Sequence, residues 1–385
     1  MTAAPADFAN KTPAELGFYM PAEWRAHAAT WLTWPKDPET WPGRVPQVEN
    51  IFLQMMAALA PHETVNLLVD DEETEHSVRA RCTFAGAQNV RCHCIVTVDS
   101  WIRDYGPNFL VSDKMSDKLQ FVAGASRASP AKASDKLRFV GHSVGPGLAF
   151  NDWIFNGWGG KYKSYEEDES IARAIAETLK IPVFDHKFIL EGGSIEVNGA
   201  GTCMTTEQCL LNNNRNPHLS RAEIEEFLKG ALGVSHLIWL GEGIAGDDTD
   251  GHIDDIARFV NPTTVVCIVE ANSKDENYRY LQENYERLQC ATDQNGEKLS
   301  IVKLPCPQPV YYDGARLPAS YANFYVANGV VLVPILNDPN DAEVLGVLGE
   351  LFAERKVVGL RCNEVVAGLG AIHCVTQQEP APFSS

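Results

Sequence analysis

Short apolar runs recur along the chain and alternate with stretches in which apolar residues return every three or four positions. TVNLLV (64–69), NFLV (108–111), VSHLIWL (234–240), TTVVCIV (263–269), FYVANGVVLVPIL (324–336) and KVVGL (356–360) predict strands. VENIFLQMMAALA (48–60), ESIARAIAETL (169–179), SRAEIEEFLKGAL (220–232) and NDAEVLGVLGELF (340–352) predict helices. Ser220 with Glu223 three residues on is a capping-box arrangement. Strands separated by helices of about ten residues argue an α/β or α+β architecture. Residues 112–138 break the pattern: SDK recurs among small polar residues, which predicts a solvated surface insertion without chemistry. The tryptophan-rich WLTWPKDPETWP (31–42) is expected to pack the start of the chain.

Composition narrows the picture. The chain has 385 residues, 45% of them hydrophobic, enough for one large domain or two smaller ones, and no linker marks a boundary. Net charge is −19, from 32 basic and 51 acidic residues. Nucleic-acid binding calls for a basic stripe that displaces counterions, and no such cluster occurs. An acidic surface favours cations instead, within a screening length of about 10 Å. No run approaches the roughly 18 apolar residues of a membrane helix, so no membrane partner is expected. The opening MTAAPADFANKTPAELGF lacks the basic start and apolar core of a secretory signal. Ten irregularly spaced cysteines fit reduced thiols better than a disulfide scaffold, so a cytoplasmic location is expected. Cys92-His93-Cys94 is a weak zinc signal, because no second ligand pair accompanies it.

Three stretches place acids or histidine at strand–turn junctions. In DSWIRDYGPNFLV (99–111), Asp104 precedes a Gly-Pro turn; taken alone it reads as a turn former or a partner of Arg103. In FILEGGSIEV (188–197), Glu191 ends an apolar run, and a buried acid there needs a partner or a function. Two glycines follow it and permit close approach of backbone or ligand. GDDTDGHIDDIARFV (246–260) looks at first like a calcium loop. With Gly251 at loop position six, Gly246 and Ala257 fall where ligating acids belong, and that reading fails. His252 and Asp254, one residue apart at the start of a strand-like run, are expected on one strand face. Close to the end of the sequence, GLGAIHCVTQQEP (368–380) sets Cys374 between glycines and amides. Most such cysteines are buried hydrophobes; a nucleophile needs partners elsewhere.

Cys374, His252, Asp104, Asp254 and Glu191 form one chemically coherent set. Three carboxylates around a thiol suppress the thiolate unless a bound cation offsets them. A guanidinium supplies that charge and offers paired N–H donors that match carboxylates. The aspartates would hold it while sulfur attacks its central carbon. Histidine would then protonate the departing nitrogen and later activate water.

With these residues in view, the chain resembles the agmatine deiminases, within the superfamily of guanidine-modifying enzymes. The resemblance runs from MPAEWRAHAATWLTWP through WIRDYGP, WIFNGWGGKY, EGGSIEVNGAGTCMTTEQCLLNNNRNP, DDTDGHIDDIARFV and LPASYANFYVANGVVLVP to GAIHCVTQQEP. It implies a single-domain, five-bladed α/β propeller of pseudo-repeated ββαβ modules, an architecture that no visible internal repeat announces. It implies Cys374 as the nucleophile forming an amidino-cysteine intermediate and His252 as general acid/base. It further implies Asp104 and Asp254 as guanidinium ligands, Glu191 as support for histidine and substrate nitrogen, and Trp101 as a pocket aromatic. No metal and no organic cofactor are implied, and a homo-oligomer is. DDTDGHIDD stands here where a DETNGHVDN-like segment is more usual in plant-like members. Asp248 and Asp250 are thereby expected near the distal end of the substrate, with Asp248 meeting a terminal amine directly or through water.

The expected reaction is hydrolysis of agmatine, a small cationic guanidino compound, to N-carbamoylputrescine and ammonia. Rivals are a deiminase of free or peptidyl-arginine, an amidinotransferase using the same adduct, and a guanidinium-binding protein without turnover. The acidic 247–250 run disfavours a substrate carboxylate. Binding alone would not need the thiol.

Overall fold

The apolar runs form the strands expected of them, and each of the four amphipathic stretches forms a helix between two strands. The structure, a computed structural model, describes residues 11–112 and 147–382. The expected insertion at 112–138 lies, from residue 113 on, outside them.

Five sheets share one plan within this mixed α/β fold. In each, a short first strand pairs antiparallel with a second, which pairs parallel with a third. The second and third strands of Leu148–Ile154 and Val183–Ile189 are joined through the helix Ile171–Leu179, and their first strand is Asn108–Val111. Glu196–Val197, Thr202–Thr206 and His236–Leu240 repeat the plan with Arg221–Leu232 as crossover. Ala257–Asn261, Thr264–Val269 and Ser300–Pro305 use Asn277–Cys290. Tyr325–Ala327, Val330–Ile335 and Lys356–Arg361 use Asp341–Leu351. The remaining sheet joins the two ends of the described chain: Gln377–Pro380 is the first strand beside His27–Thr33, followed by Thr64–Val69 and Val90–Cys94. Parallel pairs need such crossovers, and the helices cover sheet faces that read as continuous apolar runs.

Local chemistry explains the boundaries. The Ser220 hydroxyl and the Glu223 carboxylate cap each other's backbone at the start of Arg221–Leu232, and Gly233 ends that helix at φ 66°. Two helices escape a reading by apolar stripe. Glu72–Ala85 buries only Val78 and Cys82, and Asn277–Cys290 buries two asparagines beside its two leucines. The tryptophan-rich run does pack the start of the chain, with Trp31, Trp34 and Trp41 buried. Its first residues also belong to the strand His27–Thr33, at the centre of the sheet that joins the chain ends. All ten cysteines are free thiols.

One regularity positions the chemistry. The turn leading into each first strand carries a polar group inward. Asp104 lies in Ile102–Tyr105 before Asn108–Val111, and Glu191 leads into the turn Gly192–Ser194 before Glu196–Val197. His252 and Asp254 flank and enter Ile253–Asp255 before Ala257–Asn261. Asn323 precedes Tyr325–Ala327, and Cys374 precedes Gln377–Pro380.

Candidate active site

Three of the five turns meet around Gly193, and the other two join them through Cys374, whose sulfur contacts Asp254 and Asn323. A Cβ added at Gly193 would lie 2.7 Å from His252 Nδ1, 2.9 Å from Asp104 Oδ1 and 3.1 Å from Asp254 Oδ2, so only glycine fits. Its N–H donates to Asp104 Oδ1 at 2.9 Å. Cys374 Sγ lies 3.8 Å from Asp254 Oδ2. His252 Nδ1 is 3.7 Å from Asp104, and His252 Nε2 is 4.0 Å from Glu191 Oε2. All five groups are buried.

His252 and Asp254 converge by a route other than the expected one. They sit in a 3-10 turn, not on a strand face, and strand pairing starts only at Ala257. Gly251, at φ 83°, makes the bend that the alternation argument did not include. Asp104 also differs from its simplest reading. Arg103 turns away from it to Glu23 at 3.3 Å and to Gln378 Oε1 at 2.7 Å. Asp104 instead accepts from Trp158 Nε1 at 2.9 Å.

Partners at long sequence separation hold the rest. Arg215, fully buried, donates through Nε to Glu191 Oε1 and through Nη1 to Asp250 Oδ2, each at 2.7 Å. His373 stands between two acids, with Nδ1 2.6 Å from Asp254 Oδ2 and Nε2 2.8 Å from Glu23 Oε2. Glu23 also pairs with Arg258 at 2.9 Å and accepts from the backbone N–H of Val326. Neither Arg215, Glu23 nor His373 stood out in the sequence. The NNNRNP, MPAEW and IHC segments that hold them carry no spacing signal, because each side chain acts on a residue remote in the chain.

The electrostatics follow from burial. It pushes the Asp104 carboxyl well above its usual range, with the neighbouring Asp254 adding to it. Burial would raise Asp254 as well, but the hydrogen bond and charge of His373 outweigh it and leave that carboxyl below its usual range. The two acids are thus shifted in opposite directions, Asp104 toward its neutral form and Asp254 toward its ionised form. Burial, with Asp254, Asp255 and Asp104, pushes the Cys374 thiol well up. Burial drives the His252 imidazole down to about 3 against the pull of Asp254. Free protein therefore holds a neutral thiol and a neutral ring. Among the described residues, Asp254 Oδ1, Glu191 Oε2 and His252 Nε2 are buried with no hydrogen-bond partner. Three unpaired groups in one place suit a ligand rich in N–H donors.

Cys374, Asp104 and Trp101 line a cavity of about 770 Å³, whose wall also carries Asp99, Asp168 and Asp248. Asp254 adjoins that lining through Cys374, 3.8 Å from its sulfur, and His252 through Asp104, 3.7 Å away. Trp101 is fixed by its own N–H to Asp99 Oδ2 at 2.9 Å. Gly370 allows its ring to pack close to Cys374, since a Cβ there would come within 2.5 Å of the ring. Asp248 accepts from the Tyr162 hydroxyl, and its backbone carbonyl accepts from Lys161. Asp250 does not line the cavity: Arg215, Asn214 and Lys161 occupy its oxygens. Glu191, Cys209 and His252 bring metal-binding atom types within 4.8 Å of one another. The guanidinium of Arg215, already bonded to Glu191, opposes a dication there. No helix among the described residues is long and apolar enough to cross a membrane.

Comparisons with known proteins agree on one kinship. The family described as Porphyromonas-type peptidyl-arginine deiminase matches residues 19–380. An agmatine deiminase of Medicago truncatula is 38% identical, over 96% of this chain and 98% of its own. One from Ectopseudomonas mendocina is 36% identical over the same shares. Among solved structures, agmatine deiminase of Enterococcus faecalis superposes with a TM-score of 0.83 at 31% identity, over 97% of this chain and 99% of its own. A substrate-bound agmatine deiminase of C. jejuni does so at 0.79 and 28% identity, over 95% and 97%.

Proposed function

The chain belongs to the Porphyromonas-type peptidyl-arginine deiminase family, and from that premise we propose that it hydrolyses agmatine to N-carbamoylputrescine and ammonia. It is then a hydrolase of linear amidines, acting in polyamine synthesis toward putrescine. The observation that carries this reading is the meeting of one thiol, one imidazole and paired aspartates around buried, unpaired hydrogen-bonding groups.

The steps follow from the protonation states. A guanidinium binds between Asp104 and Asp254; its charge expels the proton from Asp104 and relieves the electrostatic suppression of the thiolate. The thiol gives its proton to neutral His252, and sulfur adds to the central carbon while the C=N electron pair moves to nitrogen. His252 returns that proton to the departing amino group, which leaves as ammonia. The S-linked amidino adduct keeps one nitrogen and the alkylamine. Water, deprotonated by His252, then adds to the same carbon, and sulfur leaves. Glu191, held by Arg215, faces His252 Nε2 and orients the ring and a substrate nitrogen.

Substrate choice rests on the cavity wall. Among the described residues it carries seven acids, Asp37, Glu39, Asp99, Asp104, Asp168, Asp248 and Asp313, against two lysines, Lys161 and Lys163, and no arginine, a balance that favours an amine over the carboxylate of free arginine. Trp101 packs the alkyl chain, and Asp248 meets the terminal amine, exchanging its Tyr162 contact for it. We carry the five sheets as blades of a single propeller domain spanning residues 1–385. A cytoplasmic homo-oligomer belongs to the same reading; ten free thiols support the reducing compartment.

Ammonia release is to be compared for agmatine, arginine and a blocked arginyl peptide, with Cys374→Ala as control. Agmatine should be preferred, and Cys374→Ala should lose turnover by about 10³-fold or more. Preference for the peptide would transfer the assignment to peptidyl-arginine. Binding of agmatine without ammonia would leave only a guanidinium receptor. Asp248→Asn should raise the agmatine KM with kcat little changed; an unchanged KM ends the role given to Asp248.

A further inference from the structure

Four of the five turns supply a group of the proposed reaction. The turn into Tyr325–Ala327 supplies Asn323, which has no part in the steps above, yet its side chain touches the sulfur. Its amide orientation follows from its neighbours. Oδ1 accepts from the backbone N–H of His373 at 2.9 Å and of Cys374 at 3.4 Å, which only an oxygen can do, and the neutral thiol of Cys374 can also donate to it at 3.5 Å. Nδ2 therefore faces two acceptors, Cys374 Sγ at 3.1 Å and Asp255 Oδ1 at 3.0 Å. Two hydrogens meet two acceptors, and every hydrogen-bonding group of the buried amide is used.

We infer that Asn323 is a further catalytic residue, whose Nδ2–H donates to the sulfur of Cys374 and stabilises the thiolate as it forms. The inference rests on the cysteine mechanism proposed above. Its physical need is plain in that pocket. Burial and three aspartates oppose a charged sulfur, and a donor fixed beforehand helps without reorganising during the reaction. Asp255 keeps the amide plane from turning. The backbone N–H groups of residues 373 and 374 aim it at the sulfur that follows them in the chain.

Asn323→Asp and Asn323→Ser supply the test. Asn323→Asp keeps an oxygen for the two backbone donors but adds a charge beside the sulfur, so Asn323→Ser, which adds none, separates loss of the N–H donor from added charge. Two readouts are taken: the pH dependence of iodoacetamide capture of Cys374, followed by mass spectrometry of its peptide, and the separate kcat and KM for agmatine. The capture midpoint should move up by about one pH unit or more in both variants. In Asn323→Ser, kcat should fall about 10- to 100-fold with KM within a few-fold, the range expected for a hydrogen bond to a charged group. Folded variants with the parent capture profile and kcat would overturn the assignment, and loss of fold in both would make Asn323 structural. Capture of Cys374 needs no turnover, so a parent protein inactive on agmatine would end the reaction proposed above while the Asn323–sulfur contact stayed testable.

Discussion

Two buried aspartates facing one another cannot both stay charged without a cation between them, and the protein settles which one does. His373 clamps Asp254 in the ionised form, while Asp104 has only neutral N–H partners and keeps its proton. The sign of the pH dependence follows. Asp104 titrates above the usual carboxylate range in free protein, and a bound cation favours its ionised form. Agmatine affinity is then full above the free-protein pKa of Asp104 and is lost as pH falls through it. KM should decrease with rising pH, and calorimetry in two buffers of different ionisation enthalpy should show protons released on binding. A flat KM without proton release would contradict the pairing. At this scale the sequence was partly legible. Cys374 and His252 could be singled out by residue type and setting. The clamp on Asp254 could not, because His373 and Glu23 are 350 positions apart.

At the level of elements, the recurring device is a tight turn before a short first strand. Such a turn aims one side chain inward and is itself held by the sheet behind it. The glycines permit this crowding at Gly193 and Gly370, as the sequence suggested for the pair that follows Glu191. Gly193→Ala should therefore cost far more activity than stability. Its methyl group would meet three reacting groups within about 3 Å, so kcat/KM for agmatine should drop by about 10²-fold or more while the unfolding temperature changes by only a few degrees. An unaltered kcat/KM would show that the cluster yields. Most helices and strands were readable from apolar period, and the capping box at Ser220 was readable outright. The polar helices Glu72–Ala85 and Asn277–Cys290 were not, since they show few apolar positions. The 3-10 turn at His252 was hidden because alternation looks alike in a strand and in a turn that precedes one.

For the whole molecule, a net charge of −19 and a cavity lined by more acids than lysines together favour the approach of dications. kcat/KM for agmatine should fall as salt rises through the range in which the screening length shrinks from about 30 to 10 Å, with kcat nearly constant. A salt-independent kcat/KM would mean that steering contributes nothing. The five-sheet plan was not visible in the sequence, since its modules share hydrogen-bonding topology without sharing residues. The acid-ringed sulfur has one more consequence, for durability. Peroxide attacks thiolates, and Cys374 in the free protein is a buried, protonated thiol, whereas Cys94 and Cys290 lie open at the surface. Idle protein should therefore lose activity to peroxide more slowly than protein turning over agmatine, and equal rates of loss would show that the protonated resting thiol gives no protection.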